Sequence, residues 1–432
     1  QAIVRDDPED ALAWIRLADC YERLEKDDEY LAAAAHLVRI APRHPAAWGY
    51  RAAGLLRKGD RSGAKEQFRK AFALDNSYLF AGMQLLQMQL EDREFTGAQE
   101  TNHALAPHIA DDVRLTGEIR IAAGQSDRDT AEDRLRYLCA CPMEDVAPLR
   151  QAVEAMRDAG FDNLVRRVLT EALIDPKSSP QIAAVWAEET AREEDYALFR
   201  EMLARLVQGS EAWCILCQNC IEFLGSQARY RQFRQLLKEY KEPIQRSDLT
   251  WAAVGRAYQD FGEPKKIVRW MSDWQEREAP QASMLFPLVW ASMDLRNYAT
   301  VVEVAQAAVC RQVDFTTSYH FVLLAAGRVM LGSVAEAREA IARVNPSFLN
   351  EFYHQQYQVL SLVLESLAAE SASQNWRSVR RRVQAVVNGM DDPTRNDSIT
   401  RCLLPRCNLL LARHFGRRFA TLIARLRVLL TS

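Results

Sequence analysis

Cys214, Cys217 and Cys220 are spaced C-x2-C-x2-C, a spacing at which thiolates can hold zinc or an iron–sulfur cluster. Such a site needs a loop or knuckle that folds a fourth ligand into a tetrahedron. Here the three thiols fall within about a turn and a half of a stretch, EAWCILCQNCIEFLG, whose apolar residues recur at helical intervals, and the next cysteine is Cys310. They therefore read as small hydrophobes packed within a helix. Cys139 and Cys141, beside Pro142, read as packing and turn residues. The seven histidines are dispersed without H-E-x-x-H, and G-x-x-x-x-G-K-[ST], G-x-G-x-x-G and G-x-S-x-G are all missing. Gly262-Glu263-Pro264-Lys265-Lys266 is a basic turn rather than a phosphate loop. Trp270 and Trp274, one helical turn apart, could form an aromatic cage; core packing is the better account, because Trp14, Trp48, Trp213 and Trp251 each open an expected helix. Nothing assembles a nucleophile, a base and oxyanion donors. A chain without catalytic activity, cofactor or metal is expected.

Charge gives a different signal. The net charge is -3, which excludes a uniformly basic nucleic-acid binder. Residues 371–432 nevertheless carry twelve Arg against three Asp, a local +9, which leaves -12 for the rest. Arg380, Arg381, Arg382, Arg413, Arg417 and Arg418 are the candidate basic surface, interleaved with Leu404, Leu409, Phe415, Phe419 and Leu422. An amphipathic basic helix of this kind can lie on anionic lipid or grip a nucleic-acid backbone. It can equally cap a helical array, with its apolar side inward and its arginines solvated, and capping is the reading adopted here.

The elements that must carry these residues are helices. In residues 46–76, Trp48, Ala52 and Leu55 share one helical face, Gly59-Asp60 breaks the run, and Ala64, Phe68, Ala71 and Leu74 form a second face. The spacing predicts a helical hairpin of about 34 residues. Trp14 precedes Trp48 by 34, and Ala98 and Leu105 follow Ala64 and Ala71 by 34. Gly82 occupies the third Trp position. Further turns are expected at Gly160, Glu194-Asp195, Gly225-Ser226, Gly262, Asn297 and Gly332-Ser333, with a longer helix over 352–367 and terminal helices over 376–387 and 402–430. The chain divides into well-matched repeats (1–110), degenerate ones (111–346) and a divergent Arg-rich end (347–432). At 432 residues it exceeds a usual single compact core, and no run of 18 apolar residues spans a membrane. The nine scattered cysteines do not form a disulfide framework, which points to a reducing, cytoplasmic setting. The first ten residues, QAIVRDDPED, are no signal peptide. Abundant Ala and an excess of Arg over Lys are a compositional sign of a bacterial source.

The pattern resembles the tetratricopeptide repeat, W-x2-L-G-x2-Y followed by A-x3-F and a closing Pro. Trp251, Val254, Gly255 and Tyr258 carry it most clearly, beside the units built on Trp14 and Trp48. The resemblance implies an all-α solenoid of stacked hairpins, because one hairpin cannot bury both faces, with the C-terminal helices as a cap. It further implies a concave groove lined by first helices that takes a protein or peptide partner. Candidate groove residues are Asp19, Tyr50, Gln84, Arg256, Gln259 and Asp260. The slots that hold cations in carboxylate-clamp members carry Ile15, Asp19, Tyr50, Phe80 and Gln84 here, so a clamp of that type is not expected. The resemblance thus implies a non-catalytic scaffold, adaptor or chaperone. An alternative by family analogy is the recognition or helper part of a larger enzyme, such as a bacterial glycosyltransferase.

Overall fold

The computed structural model describes residues 9–192, 194–278, 280–311 and 317–368, together with 381 and 385. All the described elements are helical, and they fall into two compact units divided between Leu206 and Val207. The first unit holds six hairpins: α1 (Ala11–Arg23) with α2 (Asp27–Ile40), α3 (Pro45–Arg57) with α4 (Arg61–Leu74), α5 (Leu79–Glu91) with α6 (Phe95–Leu105), α7 (Asp111–Gly124) with α8 (Arg128–Ala140), α9 (Ala147–Asp158) with α10 (Asp162–Ile174), and α11 (Ile182–Arg192) with α12 (Tyr196–Arg205). The second holds α13 (Glu211–Ser226) with α14 (Tyr230–Glu239), a short α15 (Lys241–Arg246), α16 (Asp248–Asp260) with α17 (Pro264–Trp270), α18 (Ala282–Asp294) with α19 (Tyr298–Arg311), α20 (Thr317–Leu331) with α21 (Val334–Ala342), and the longer α22 (Glu351–Ala368). Within each unit most helices pack on their hairpin partner and on a helix of the neighbouring hairpin.

The backbone states the repeat more sharply than the side chains do. A left-handed residue closes the first helix of every hairpin: Glu25, Gly59, Arg93, Ser126, Gly160, Glu194, Ala228, Gly262, Arg296 and Gly332. Successive members are 34, 34, 33, 34, 34, 34, 34, 34 and 36 residues apart. In nine of these ten turns the next amide reaches back five residues, at 2.8–2.9 Å, to a carbonyl that the helix end would otherwise leave orphaned, for example Asp60 N–H to Leu55 and Arg229 N–H to Leu224. The same residue then starts the second helix. Asp60, Asp127 and Asp195 cap it through their carboxylates, accepting from the amides three residues on at 2.9, 3.2 and 3.0 Å.

Burial follows the turn. The fifth residue after it is Tyr30, Ala64, Ala98, Ala131, Val165, Phe199, Phe233, Ile267, Val301 or Ala337, and none is more than 2% exposed. The seventh residue before it is Ala18, Ala52, Leu86, Ile119, Val153, Ala187, Ile221, Gly255, Val289 or Ala325, all buried. Size is traded between partners. At Gly255 an added Cβ would lie 2.7 Å from Met271 Sδ, so a bare backbone admits the methionine.

This frame corrects one sequence reading. The turn of the seventh hairpin is at Ala228, and Gly225 and Ser226 lie inside α13. Because α13 runs 16 residues, Trp213 sits one helical turn ahead of the position that Trp14, Trp48 and Trp251 occupy, and Cys217 takes that position instead. Ile221 then fills the small slot and Leu224 the Tyr slot. Helix α22 matches the long helix expected over 352–367. The helices expected over 376–387 and 402–430 lie outside the described residues, apart from 381 and 385.

Candidate functional site

The three clustered cysteines lie on α13 with 8, 0 and 0% exposure, and Cys214, Cys217 and Cys220 are free thiols. Loss of water pushes Cys217 well above the ordinary thiol range, raises Cys220 too, and raises Cys139 to about 12, which keeps them in the apolar protonated form. Trp274 is 8% exposed and part of a core cluster that includes Trp251, Ile267 and Leu285, whereas Trp270 is half-buried and donates its indole N–H to the Trp251 carbonyl at 3.0 Å.

The side chains six residues before each turn stand in one row on the first helices. That row holds Asp19, Gln87, Arg120, Glu154 and Glu188 in the first unit, and Glu222 and Arg256 in the second. Much of it is tied across hairpins. Tyr50 of α3 donates its hydroxyl to Asp19 of α1 at 2.8 Å. Arg120 of α7 donates to Gln87 of α5 at 2.6 Å; burial lowers the arginine's pKa, against the opposing pull of Glu91 and Glu154. Arg150 of α9 meets the Glu188 carboxylate of α11 through its Nε at 3.1 and 2.9 Å and also through Nη2. In the second unit Arg256 of α16 donates its Nε to Glu222 of α13 at 3.0 Å.

Of the residues expected to line a groove, Asp19 and Tyr50 are thus bonded to each other. Burial raises the Tyr50 phenol well above its ordinary value and the hydrogen bond to Asp19 adds to the shift. Arg256, Gln259 and Asp260 share the last turn of α16, where Arg256 is tied to Glu222 and Gln259 is half-buried. Asp260 is exposed, but one carboxyl oxygen sits 2.7 Å from where a Cβ on Gly225 would be. Lost hydration there and the charge of Glu222 raise its pKa, while Arg256 opposes them. Gln84 is half-buried on α5, apart from these bonds. The reading from residue types missed Gln87, Arg120, Glu188 and Glu222. Their shared offset from the turns is the signal that marks them. Of the basic candidates, Arg381 is helical and exposed; Arg380, Arg382, Arg413, Arg417 and Arg418 lie outside the described residues.

Between these polar ties lies an apolar gap. Phe80 and Met83 of α5 are 46% and 37% exposed, and helical spacing puts them on one face with Gln84 and Gln87. Phe80 is held edge-on against Phe68, centroids 5.6 Å apart, and beside Tyr78 at 6.2 Å. The Phe80 ring is braced by these neighbours yet open to solvent.

No family model and no curated protein matches the chain. Solved structures to which it is similar include the TPR domain of P58(IPK), at 14% identity over 75% of this chain and 99% of that one (TM-score 0.23). The Naa15/Naa10 complex bound to HypK-THB is similar at 12% identity over 96% of this chain and 69% of that one (TM-score 0.30). Yeast Tom70 is similar at 12% identity over 96% and 99% (TM-score 0.32). The fold is that of a tetratricopeptide-like array of helical hairpins. The period of the turns, the paired helices and the buried slots in this chain carry that statement. Among the described residues no group of three His, Cys, Asp or Glu could hold a metal ion, and no helix is long and apolar enough to cross a membrane.

Proposed function

We propose that the chain is a protein-interaction scaffold whose first-helix face docks a protein or peptide partner, with Phe80 and Met83 as the apolar anchor and Asp19, Tyr50, Gln84, Gln87 and Arg120 as the polar surround. The observation that carries the reading is the exposure of two large hydrophobes, Phe80 braced by neighbouring rings, beside side chains already hydrogen-bonded to one another. Binding hot spots have this make-up, a rigid apolar anchor ringed by polar groups that exclude water, and rigid rings lose little entropy on docking. Arg256, Gln259 and Asp260 form a second polar stretch on the same type of face in the other unit. The free cysteines fit a reducing compartment, so the reading includes a cytoplasmic setting.

A photoreactive amino acid placed at Met83 in the full chain should give a discrete cross-linked adduct in source cells, which Phe80→Arg removes while the helical circular dichroism stays unchanged. The same probe at Glu66, on a second helix, should give none. An adduct of equal yield from both positions, or one that survives Phe80→Arg, would show that the partner does not dock on this face.

A further inference from the structure

Several cations of this protein are neutralised internally: Arg57, Lys58, Arg61, Lys65, Arg136, Arg150 and Arg277 each meet a carboxylate. Between α14, α15, α16 and α17 a recess of about 470 Å³ is lined by Arg234, Lys241, Lys266 and Arg269, and no carboxylate lines it. Arg234, Lys241 and Arg269 have no carboxylate within 4.0 Å among the described residues. Lys266 pairs with Glu263 at 2.7 Å and donates to the Tyr230 hydroxyl at 2.5 Å, so its ammonium is held in position at the wall. Gln245 and the aromatic residues Tyr230, Tyr258 and Trp270 complete the lining. The half-buried Tyr258 lies within electrostatic reach of Arg234 and Lys266, and its hydroxyl makes no hydrogen bond to a described residue. Trp270 has its indole N–H committed to the Trp251 carbonyl, which locks its ring at the edge of the recess.

Like charges gathered beside aromatic walls raise the local positive potential, which a bound anion offsets. Guanidinium forks match phosphate oxygens two at a time, lysines add point charges, and a free phenol can donate one bond more. The volume lies in the range of small-ligand pockets. A fixed indole offers a flat apolar wall to a ring. We propose that this recess binds a small polyphosphate ligand of the nucleoside-polyphosphate class, with its phosphates on Arg234, Lys241, Lys266 and Arg269, the Tyr258 hydroxyl donating to one of them, and its base against Trp270. The site is separate from the first-helix docking face and does not depend on it.

Calorimetric titration of the full chain with ATP, inorganic tripolyphosphate and adenosine tests the proposal. ATP should saturate one site, with tripolyphosphate competing for it and adenosine silent. Arg234→Glu and Arg269→Glu, both at exposed positions, should each weaken ATP about tenfold or more, the loss expected from reversing a charge at a phosphate contact. Trp270→Leu should weaken ATP and leave tripolyphosphate unchanged. Arg43→Glu, at an exposed position in the other unit, should change nothing. Adenosine binding as tightly as ATP would overturn the proposal, as would ATP affinity untouched by either charge reversal. Saturation by an acidic peptide where neither phosphate compound binds would overturn it in favour of a protein ligand.

Discussion

Gly82 stands where the first, second and eighth repeats have tryptophan, and the structure predicts that filling it is harmful. An added Cβ would lie 2.6 Å from Leu105 Cδ2 and 2.6 Å from Phe72 Cε2. Carbon atoms in contact sit at about 3.5–4.0 Å, so both side chains would have to retreat by about 1 Å in a core where Phe72 is 6% and Leu105 0% exposed. Overpacking of this kind costs about 1–3 kcal/mol. Alanine in a helix interior returns about 1 kcal/mol over glycine, so Gly82→Ala should come out between neutral and about 2 kcal/mol destabilising. Phe72→Ala alone should cost about 3–5 kcal/mol by leaving a cavity. In that background Leu105 can retreat into the vacated space, so the methyl added at Gly82 is accommodated, the helix preference of alanine is expressed, and the second substitution becomes neutral or stabilising. The cycle should therefore show about 1–2 kcal/mol of favourable coupling. Urea denaturation followed by circular dichroism gives the stabilities. Repeat arrays need not unfold in one step, so hydrogen exchange of α5 amides should confirm that the change is local. A Gly82→Ala protein stabilised by about 1 kcal/mol, equally with and without Phe72, would refute the close approach.

Three further outcomes follow from the same frame. Ala228 holds a positive φ of 52°, so Ala228→Gly should relieve left-handed strain and stabilise the second unit by about 0.5–1 kcal/mol, read from urea midpoints. Lys65, whose ammonium lies 2.5 Å from Asp92 and 2.8 Å from Glu94, ties α4 to the following turn, and Lys65→Met should cost about 1 kcal/mol at neutral pH. Since the Lys65 hydrogen bond holds Asp92 below its ordinary 3.8, that difference is present above this pH and disappears as pH falls through the folded-state value. Tyr50 runs the other way: burial and the hydrogen bond to Asp19 raise its phenol, so its contribution is complete below about pH 10 and is lost as pH rises above it. Tyr50→Phe should cost about 1 kcal/mol and leave an alkaline stability limb that falls less steeply in a pH series of melts.

The hairpins and their period were legible in the sequence because three units keep Trp in the first helix and several turns keep Gly, as at Gly59, Gly160, Gly262 and Gly332. The other turns carry Glu25, Arg93, Ser126, Glu194, Ala228 and Arg296, residue types that give no hint of a left-handed backbone. There the conformation comes from the hydrogen bonds that close the helix and from the packing of both helices, which together outweigh a local preference of about 1–2 kcal/mol. The seventh hairpin shows what residue type alone can do: a tryptophan at Trp213 drew the register one turn too early, since the extra turn of α13 has no signature of its own. The site was less legible than the fold. Asp19, Tyr50, Arg256 and Asp260 were reachable from the family's slot positions, but the bonding of Arg120 to Gln87 and of Arg150 to Glu188 joins residues 33 and 38 apart, and only the stacking of hairpins brings them together.

Those ties bear on where binding energy can come from. A carboxylate already held by an arginine in the next hairpin gains little from a partner's charge, because the new contact must replace an existing one and desolvate both groups. The pairs Asp19 with Tyr50, Arg150 with Glu188 and Arg256 with Glu222 therefore tie neighbouring hairpins together, and under the proposed docking they would shape the surface more than supply its affinity. Affinity must come from groups the fold leaves unsatisfied. On the proposed docking face these are Phe80 and Met83, whose apolar surface remains in water; in the second unit they include Arg234, Lys241 and Arg269, which lack a carboxylate within ion-pair distance among the described residues. At about 25 cal/mol per Å² of apolar surface removed from water, docking on the former gains by exclusion of water and is insensitive to salt. Occupancy of the latter gains by neutralisation and weakens as salt rises. The two surfaces are therefore separable by ionic strength in one preparation, before any residue is changed.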